Sequence, residues 1–359
     1  MSATLLLATL AVSATTDFQA LLDRMRTEQE VPGISIVISQ GDRVVFAGAS
    51  GLANIETGRK MTADTRVYAG SLSKIFTAVL ALQLVEEEKL SLSDPVEEIA
   101  IESPDDVPAI TVEHLLTHAS GLEREGDFGY WFTADFPDAD ALKLYLRRTR
   151  LRSPPGSELH YSNVGYATLG QVAADASGLD YATALQTRVL QPLGMTSSGV
   201  PGPTPGIAVG YTPIGRIIPS EERPFAGVGR AVGDRHIREY HDARAMSPAF
   251  GIFTSANDLA RLARFLLGHG HENVLSVDMR KRMRTQQASG WGLGLKIGKL
   301  YGHPVARHEG WFAAHRSHLL LAIDADLSIV VMTNSDSGAP AKIAEALYET
   351  MLNLDLNSK

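Results

Sequence analysis

The chain has 359 residues, 44% of them apolar and 21% charged, with a net charge of −8 and no cysteine. That length supports one large mixed domain or two closely joined ones. The acidic balance speaks against a nucleic-acid partner, which would require a concentrated basic face. The absence of cysteine excludes disulfides, Cys-ligated metals and a thiol nucleophile.

The run Leu5 to Ala14 is apolar and ends in small residues, similar to the core of a secretory signal, although no Lys or Arg precedes it. As a signal peptide over residues 1–14 it implies a periplasmic or secreted protein. As the apolar start of the first helix it leaves a cytoplasmic one. The run is too short for a transmembrane helix, and no later segment qualifies.

Residues 16–29 carry Phe18, Leu21, Leu22 and Met25 at helical spacing. The β-rich run Ile34 to Ile38, the turn Gln40-Gly41-Asp42 and the run Val44 to Phe46 predict a hairpin. Helices are predicted over 71–88, 111–118, 139–149, 163–176, 181–189 and 256–267, the last opened by the capping-box-like Ser255-Ala256-Asn257-Asp258. The basic cluster Arg147, Arg148, Arg150 and Arg152 falls at a solvated helix end, near the negative pole of the dipole. The Pro/Gly-rich stretch 201–250 has little periodicity and is expected to be a long, partly irregular excursion.

A second β-rich block follows: Gly292 to Ile297, His303 to His308, His318 to Ile323 and Ser328 to Met332. A closing helix after Pro340 presents Ile343, Ala344, Leu347 and Leu352. Strands at both ends with helices between predict an α+β fold, with an antiparallel sheet built from the N- and C-terminal parts and a mainly helical region inserted. The implied division is a discontinuous sheet domain of residues 15–70 and 286–359, a helical domain of residues 71–285, and a crevice between them as the natural site.

Three motifs bear on chemistry. Ser71-Leu72-Ser73-Lys74 opens a helix whose residues Ile75 to Leu82 are apolar nearly all round, so the helix belongs in the interior. Ser71 stands at its N-terminus, where free N–H groups favour negative charge. Lys74 lies one turn on, on the same face. Desolvation lowers the pKa of a buried lysine, which turns it into a general base near neutral pH. Ser73 faces elsewhere.

The second motif, Tyr161-Ser162-Asn163, follows a Pro/Gly loop. Its extended backbone points Tyr161 and Asn163 to one side, and Asn163 is suited to cap the next helix. A phenol beside an ammonium is expected to have a lowered pKa and to relay a proton. The third, His308-Glu309-Gly310-Trp311, predicts an edge strand with His308 pointing in, Gly310 allowing close approach of a substrate, and the Trp311 N–H serving beside that of Ser71 as an oxyanion donor.

In this order the motifs resemble the signatures of the serine β-lactamase and penicillin-binding-protein superfamily, closest to the branch of class C β-lactamases, D-Ala-D-Ala carboxypeptidases, D-aminopeptidases and β-lactamase-like carboxylesterases. Matching stretches run the length of the chain: Val31 to Ile34, Ile110 to Leu122, Tyr161 to Tyr166, Ala249 to Ser255 and Thr333 to Asp336. The resemblance implies a β-lactamase/DD-peptidase-like fold, Ser71 as nucleophile, Lys74 as base, Tyr161 as proton relay, Asn163 as a binding residue, and His308 with Gly310 as the strand motif.

Two departures bear on substrate. His308 replaces a common lysine, and Trp311 replaces a small residue, which together favour small esters or D-amino-acid peptides and amides. A β-lactamase or D-Ala-D-Ala carboxypeptidase is the alternative, and a non-catalytic muropeptide-binding or sensor protein the alternative of another class. No metal or other cofactor is expected. His114 and His118 are spaced at i and i+4 but lack a zincin's glutamate. The expected partner is a small-molecule or peptide substrate; oligomeric state stays open.

Overall fold

The computed structural model describes residues 18–96, 109–200, 206–214, 228–238, 242–287 and 290–356, so the signal-like residues 1–14 lie outside it. From the N-terminus, helix α1 (18–28) precedes strands β1 (Gly33–Gln40), β2 (Arg43–Asn54), β3 (Arg59–Lys60) and β4 (Val67–Tyr68). Helices α2 (Ser73–Glu86), α3 (Val112–Leu116), α4 (Tyr130–Thr133), α5 (Ala139–Leu146), α6 (Asn163–Ser177) and α7 (Tyr181–Leu185) follow. Strands β5 (Gly210–Pro213), β6 (Val228–Val232), β7 (Arg235–Arg238) and β8 (Phe253–Thr254) lead to α8 (Ala256–Leu267) and α9 (Val277–Met283). The chain ends in β9 (Lys296–Leu300), β10 (His303–Phe312), β11 (His315–Ala322), β12 (Leu327–Thr333) and α10 (Pro340–Leu356). No helix among the described residues is long and apolar enough to cross a membrane.

Seven strands form one antiparallel sheet in the order β3-β2-β1-β12-β11-β10-β9. The junction of the two chain ends is the β1–β12 ladder, in register from Ile34↔Thr333 to Gln40↔Leu327. Both sheet faces are apolar, because the two-residue period of a strand sends alternate side chains to opposite sides. Ile34, Ile36, Ile38, Leu320, Ile329 and Val331 pack with Phe18, Leu22, Ile343 and Leu347 of α1 and α10. Val37, Leu319, Leu321, Val330 and Met332 belong to the larger core that includes α2, α6 and α8. The fold is the α+β arrangement expected.

Helix α2 has twelve buried residues, Ser73 to Leu84, and so is the central helix of the larger core. Each fully buried Leu, Ile, Val or Phe contributes about 1.5–3 kcal/mol, enough in sum to carry one buried lysine. Helix α8 matches its expected bounds, with Ser255 Oγ accepting from the Asp258 N–H at 3.2 Å. Asp258 does not complete a capping box there; it accepts from Ser197 N and Ser198 Oγ instead.

Three expectations need correction. The stretch 201–250 is more ordered than its composition suggests: its described part holds the small antiparallel sheet β5-β7-β6 and a wide helical turn, Ser247–Gly251. The sheet is pinned by the Tyr211↔Ser335 bridge, a long-range pairing with no local signature. Residues 292–295 form a bend, and β9 begins only at Lys296. Ser71 precedes α2, on the 3-10 turn Gly70–Leu72.

Candidate active site

The Ser71 turn is held from both sides by backbone. Gly70 has φ +56°, and a Cβ there would lie 2.2 Å from Trp311 N, so β10 passes directly against the turn. Gly310 answers from the strand: a Cβ would lie 1.9 Å from Ala69 O and 2.2 Å from Ser317 Oγ. Ser317 Oγ donates to the same Ala69 carbonyl at 2.6 Å. Gly310 therefore seats the Ser71 turn against β10. Ser73 faces away, accepting from Ile252 N at 3.1 Å.

Lys74 is completely buried. Its Nζ donates to Asn163 Oδ1 at 2.7 Å and Ala249 O at 2.8 Å, and lies 3.5 Å from Ser71 Oγ. Burial holds its pKa well below the ordinary lysine value; Glu125 opposes that shift and Arg124 adds to it. A neutral amine has two N–H bonds and one lone pair. Both acceptors here are neutral, so a neutral Lys74 can spend its two N–H groups on them and keep its lone pair for the Ser71 hydroxyl 3.5 Å away.

Tyr161 and Asn163 both reach this lysine. Ser162, between them, caps α6, its Oγ accepting from Gly165 N at 2.8 Å, so the cap expected at Asn163 sits one residue earlier. Asn163 is thereby free to donate its Nδ2 to both Glu125 carboxylate oxygens, at 2.8 and 2.9 Å. The Tyr161 phenol hydrogen-bonds the Ser71 side chain, and burial drives its pKa up. This reverses the expected lowering. Lys74 lies over the ring face, 4.8 Å from its centroid, and what burial withholds from the phenolate outweighs any nearby cation.

His308 points inward and Glu309 outward, as alternation requires. Strand β10 is not the edge strand expected: β9 covers its outer side up to the pair Arg307↔Lys296, and only beyond that is the β10 edge free of a strand. The β10–β11 hairpin turns through Ala313 and Ala314, both at positive φ, with Phe312↔His315 flanking the two-residue loop. In such a hairpin the flanking pair is hydrogen-bonded, so the next pair, Trp311↔Arg316, directs its N–H and C=O away from the partner strand. The Trp311 N–H thus faces the Ser71 turn.

The His308 ring is buried beside the site, 6.2 Å from the Tyr161 ring and 5.5 Å from that of Trp291. Its Nδ1 donates to Glu309 O at 2.7 Å, which leaves the proton off Nε2; that atom is buried without a partner among the described residues. Burial brings its pKa down to about 3, with Lys74 adding to the effect, so the imidazole is neutral. The side chain on the open rim is Trp311, whose indole donates to Asp336 Oδ1 at 2.5 Å and packs 5.3 Å from the ring of Trp131.

Sequence reasoning missed the segment 118–125, which cradles the second motif. Asn163 N donates to Arg124 O, Ser162 Oγ to Glu123 O and His160 N to His118 O, at 2.7–2.8 Å. This ladder brings Glu125 to Asn163 and His118 beneath Tyr161. Only the stretch Ile110 to Leu122, noted as matching, hinted at it. Its other histidine, His114, closes a capping box with Thr111. A separate groove of about 700 Å³, lined in part by Asp138, Gly170, Tyr181 and Pro248, includes none of the residues expected at the site.

Comparison with known proteins agrees with this architecture. The family described as Beta-lactamase matches residues 18–350. Penicillin-binding protein 4 of Amycolatopsis lactamdurans is 28% identical, over 88% of this chain and 84% of that one. Esterase EstB of Burkholderia gladioli is likewise 28% identical, over 90% and 91%. The solved octameric penicillin-binding protein homologue from Pyrococcus abyssi superposes with a TM-score of 0.79 at 26% identity, covering 95% of this chain and 77% of that one. The chain belongs to the beta-lactamase family and is a serine hydrolase.

Proposed function

We propose that the protein hydrolyses small esters or D-amino-acid amides and peptides through an acyl-enzyme on Ser71. The observation that carries this reading is the setting of Lys74: its Nζ is buried between two neutral acceptors, Asn163 Oδ1 and Ala249 O, and lies 3.5 Å from Ser71 Oγ. As a neutral amine it spends its two N–H groups on those acceptors and keeps its lone pair for the Ser71 hydroxyl.

In the acylation step Lys74 accepts the Ser71 proton as Oγ attacks the substrate carbonyl. The Ser71 and Trp311 N–H groups hold the oxyanion. Tyr161, a full phenol at working pH, donates its proton to the leaving alkoxide or amine, and the Lys74 ammonium restores it. The sum is one Oγ–acyl bond formed, one ester or amide bond broken, and one proton delivered to the leaving group. Water then attacks the acyl-enzyme by the reverse proton route. A division into a sheet part (residues 15–70 and 286–359) and a helical part (71–285) fits this scheme, with Ser71 at their junction.

For the substrate, the support is the strand motif. His308 is buried and neutral, so it supplies no cation to a substrate carboxylate, while Trp311 and Trp131 form an aromatic rim. The relative named as an esterase accords with this preference. The test has two parts. A p-nitrophenyl phosphonate should label the protein once, at Ser71, and Ser71→Ala should abolish labelling. Rates on a p-nitrophenyl ester, a D-alanine amide, a D-Ala-D-Ala peptide and a chromogenic cephalosporin should then rank the first two above the last two. Labelling that survives Ser71→Ala refutes the nucleophile, and cephalosporin turnover far above the ester rate refutes the substrate class.

A further inference from the structure

Tyr161 is flanked on both sides by bonds to a single residue. His160 N donates to the His118 carbonyl at 2.8 Å, and Ser162 N donates to His118 Nδ1 at 3.1 Å. Between these two anchors the His118 ring lies against the Tyr161 ring, with centroids 4.3 Å apart and planes 32° from parallel. Trp291 stands beside both rings, edge-on to the imidazole at 4.6 Å and 5.8 Å from Tyr161, and Tyr166 packs on the imidazole at 5.0 Å. The residue is 1% exposed. Its backbone sits at φ +60°, a conformation non-glycine residues adopt at a cost and that surrounding bonds must hold. Because Nδ1 accepts from an N–H, it carries no proton, and the neutral ring has its proton on Nε2.

We propose that His118 is a positioning residue for the reaction: it fixes the Tyr161 phenol at the Ser71 hydroxyl, through the Ser162 N–H and the face of the ring, without touching substrate. The proposal rests on the reading of Ser71 as nucleophile and Tyr161 as proton donor. It makes a specific demand, because a misplaced phenol harms the protonation of a poor leaving group far more than the release of a good one.

The experiment compares kcat/KM on an ethyl ester and a p-nitrophenyl ester of the same acid for the wild type, His118→Asn and His118→Phe. Rates are normalised to sites labelled by phosphonate, so unfolded protein drops out of both. Ethoxide needs a proton as it leaves and p-nitrophenolate does not. His118→Phe keeps a ring and loses the acceptor for Ser162 N; it should lose about 10²-fold on the ethyl ester and less than about tenfold on the aryl ester. His118→Asn can accept from Ser162 N through Oδ1 and should recover part of that selective loss. Equal losses on both esters, or an unchanged ratio in both variants, would overturn the role of His118. An unlabelled wild-type Ser71 would instead overturn the acyl-enzyme reading on which it rests.

Discussion

Lys74 and Glu125 are joined through one side chain, Asn163, whose Oδ1 accepts from Lys74 Nζ while its Nδ2 donates to both oxygens of Glu125. The amide faces the amine with its negative end, and the carboxylate fixes that orientation. Burial and Glu125 pull the lysine in opposite directions, and burial wins. Removing the carboxylate charge should therefore lower the Lys74 pKa further. Lys74 as the proposed base works when deprotonated, so the acid limb of kcat/KM in Glu125→Gln should move to lower pH. A pH–rate profile on a neutral ester checks this, and a limb moving to higher pH contradicts the arrangement.

Replacing Lys74 itself separates function from stability. Lys74→Met removes the proposed base and should reduce the rate of Ser71 phosphonylation by about 10²–10⁴-fold, the range of positioned general bases. The same change removes an amine that burial penalises, at the cost of two unpaired acceptors, Asn163 Oδ1 and Ala249 O. These effects oppose each other at similar size, about 1–3 kcal/mol for each unpaired buried group, so the melting temperature should change by only a few degrees. A variant that loses the labelling rate because it has melted would show a large drop instead.

Gly310→Ala tests the seating of Ser71, the proposed nucleophile. The added methyl would lie inside contact distance of Ala69 O, a backbone atom that cannot swing away as a side-chain end would. The Ser71 turn must move off β10 or the strand must bend. Overpacking of this kind costs about 1–3 kcal/mol, and a shift near 1 Å at a nucleophile costs about 10²-fold in rate. Thermal unfolding should thus show a modest loss while phosphonylation of Ser71 shows a large one. Wild-type labelling in this variant would place the turn elsewhere.

The raised pKa of Tyr161 has a consequence at the alkaline end. A phenol that stays protonated cannot produce a falling limb, so kcat/KM for a D-amino-acid amide should stay level up to about pH 10, the ordinary phenol value. Tyr161→Phe retains the ring that meets His118 and Lys74 and loses the hydroxyl at Ser71. It should cost about 10²-fold or more on an amide. An alkaline limb near pH 8 that Tyr161→Phe abolishes would assign the opposite protonation state.

How much of this site could be read in advance follows from how local each signal is. Ser71 and Lys74 lie one helical turn apart in a run apolar on every side, so their proximity and the burial of Lys74 were both legible. The direction of the Tyr161 shift was not, because tripeptide spacing shows the cation and hides the surroundings that exclude water. Glu125 and His118 reach the site through a ladder between residues 118–125 and 156–164, whose register no short-range pattern encodes. The small sheet of β5, β6 and β7 escaped for the same reason: its anchor to Ser335 spans more than a hundred residues. The positions of the hairpin β1–β2 and of the sheet strands, which depend on alternation, were predictable, though β2 runs on to Asn54 and β9 begins only at Lys296. Helix α8, which depends on helical period, was predictable to its ends.

Buried histidines dictate the response to acid. Burial takes the pKa of His308 and His318 to about 3 and that of His315 to about 4, against an ordinary value near 6.5. All three are neutral in the folded protein and protonate readily once it unfolds. A depressed folded-state pKa contributes stability that is fully present above pH 6.5 and is lost as pH falls toward 4 and 3. Each such imidazole steepens the decline by about 1.4 kcal/mol per pH unit within that window. His318 is the cleanest probe: it is fully buried, with neither ring nitrogen partnered among the described residues, on the sheet face remote from Ser71. His318→Met keeps an apolar side chain of similar reach and should remove one proton from the linkage. Urea unfolding at pH 7, 6, 5 and 4 should then give a shallower fall in stability than wild type, with Ser71 labelling at pH 7 unchanged. A slope identical to wild type would mean that His318 is already protonated in the folded protein or meets water there.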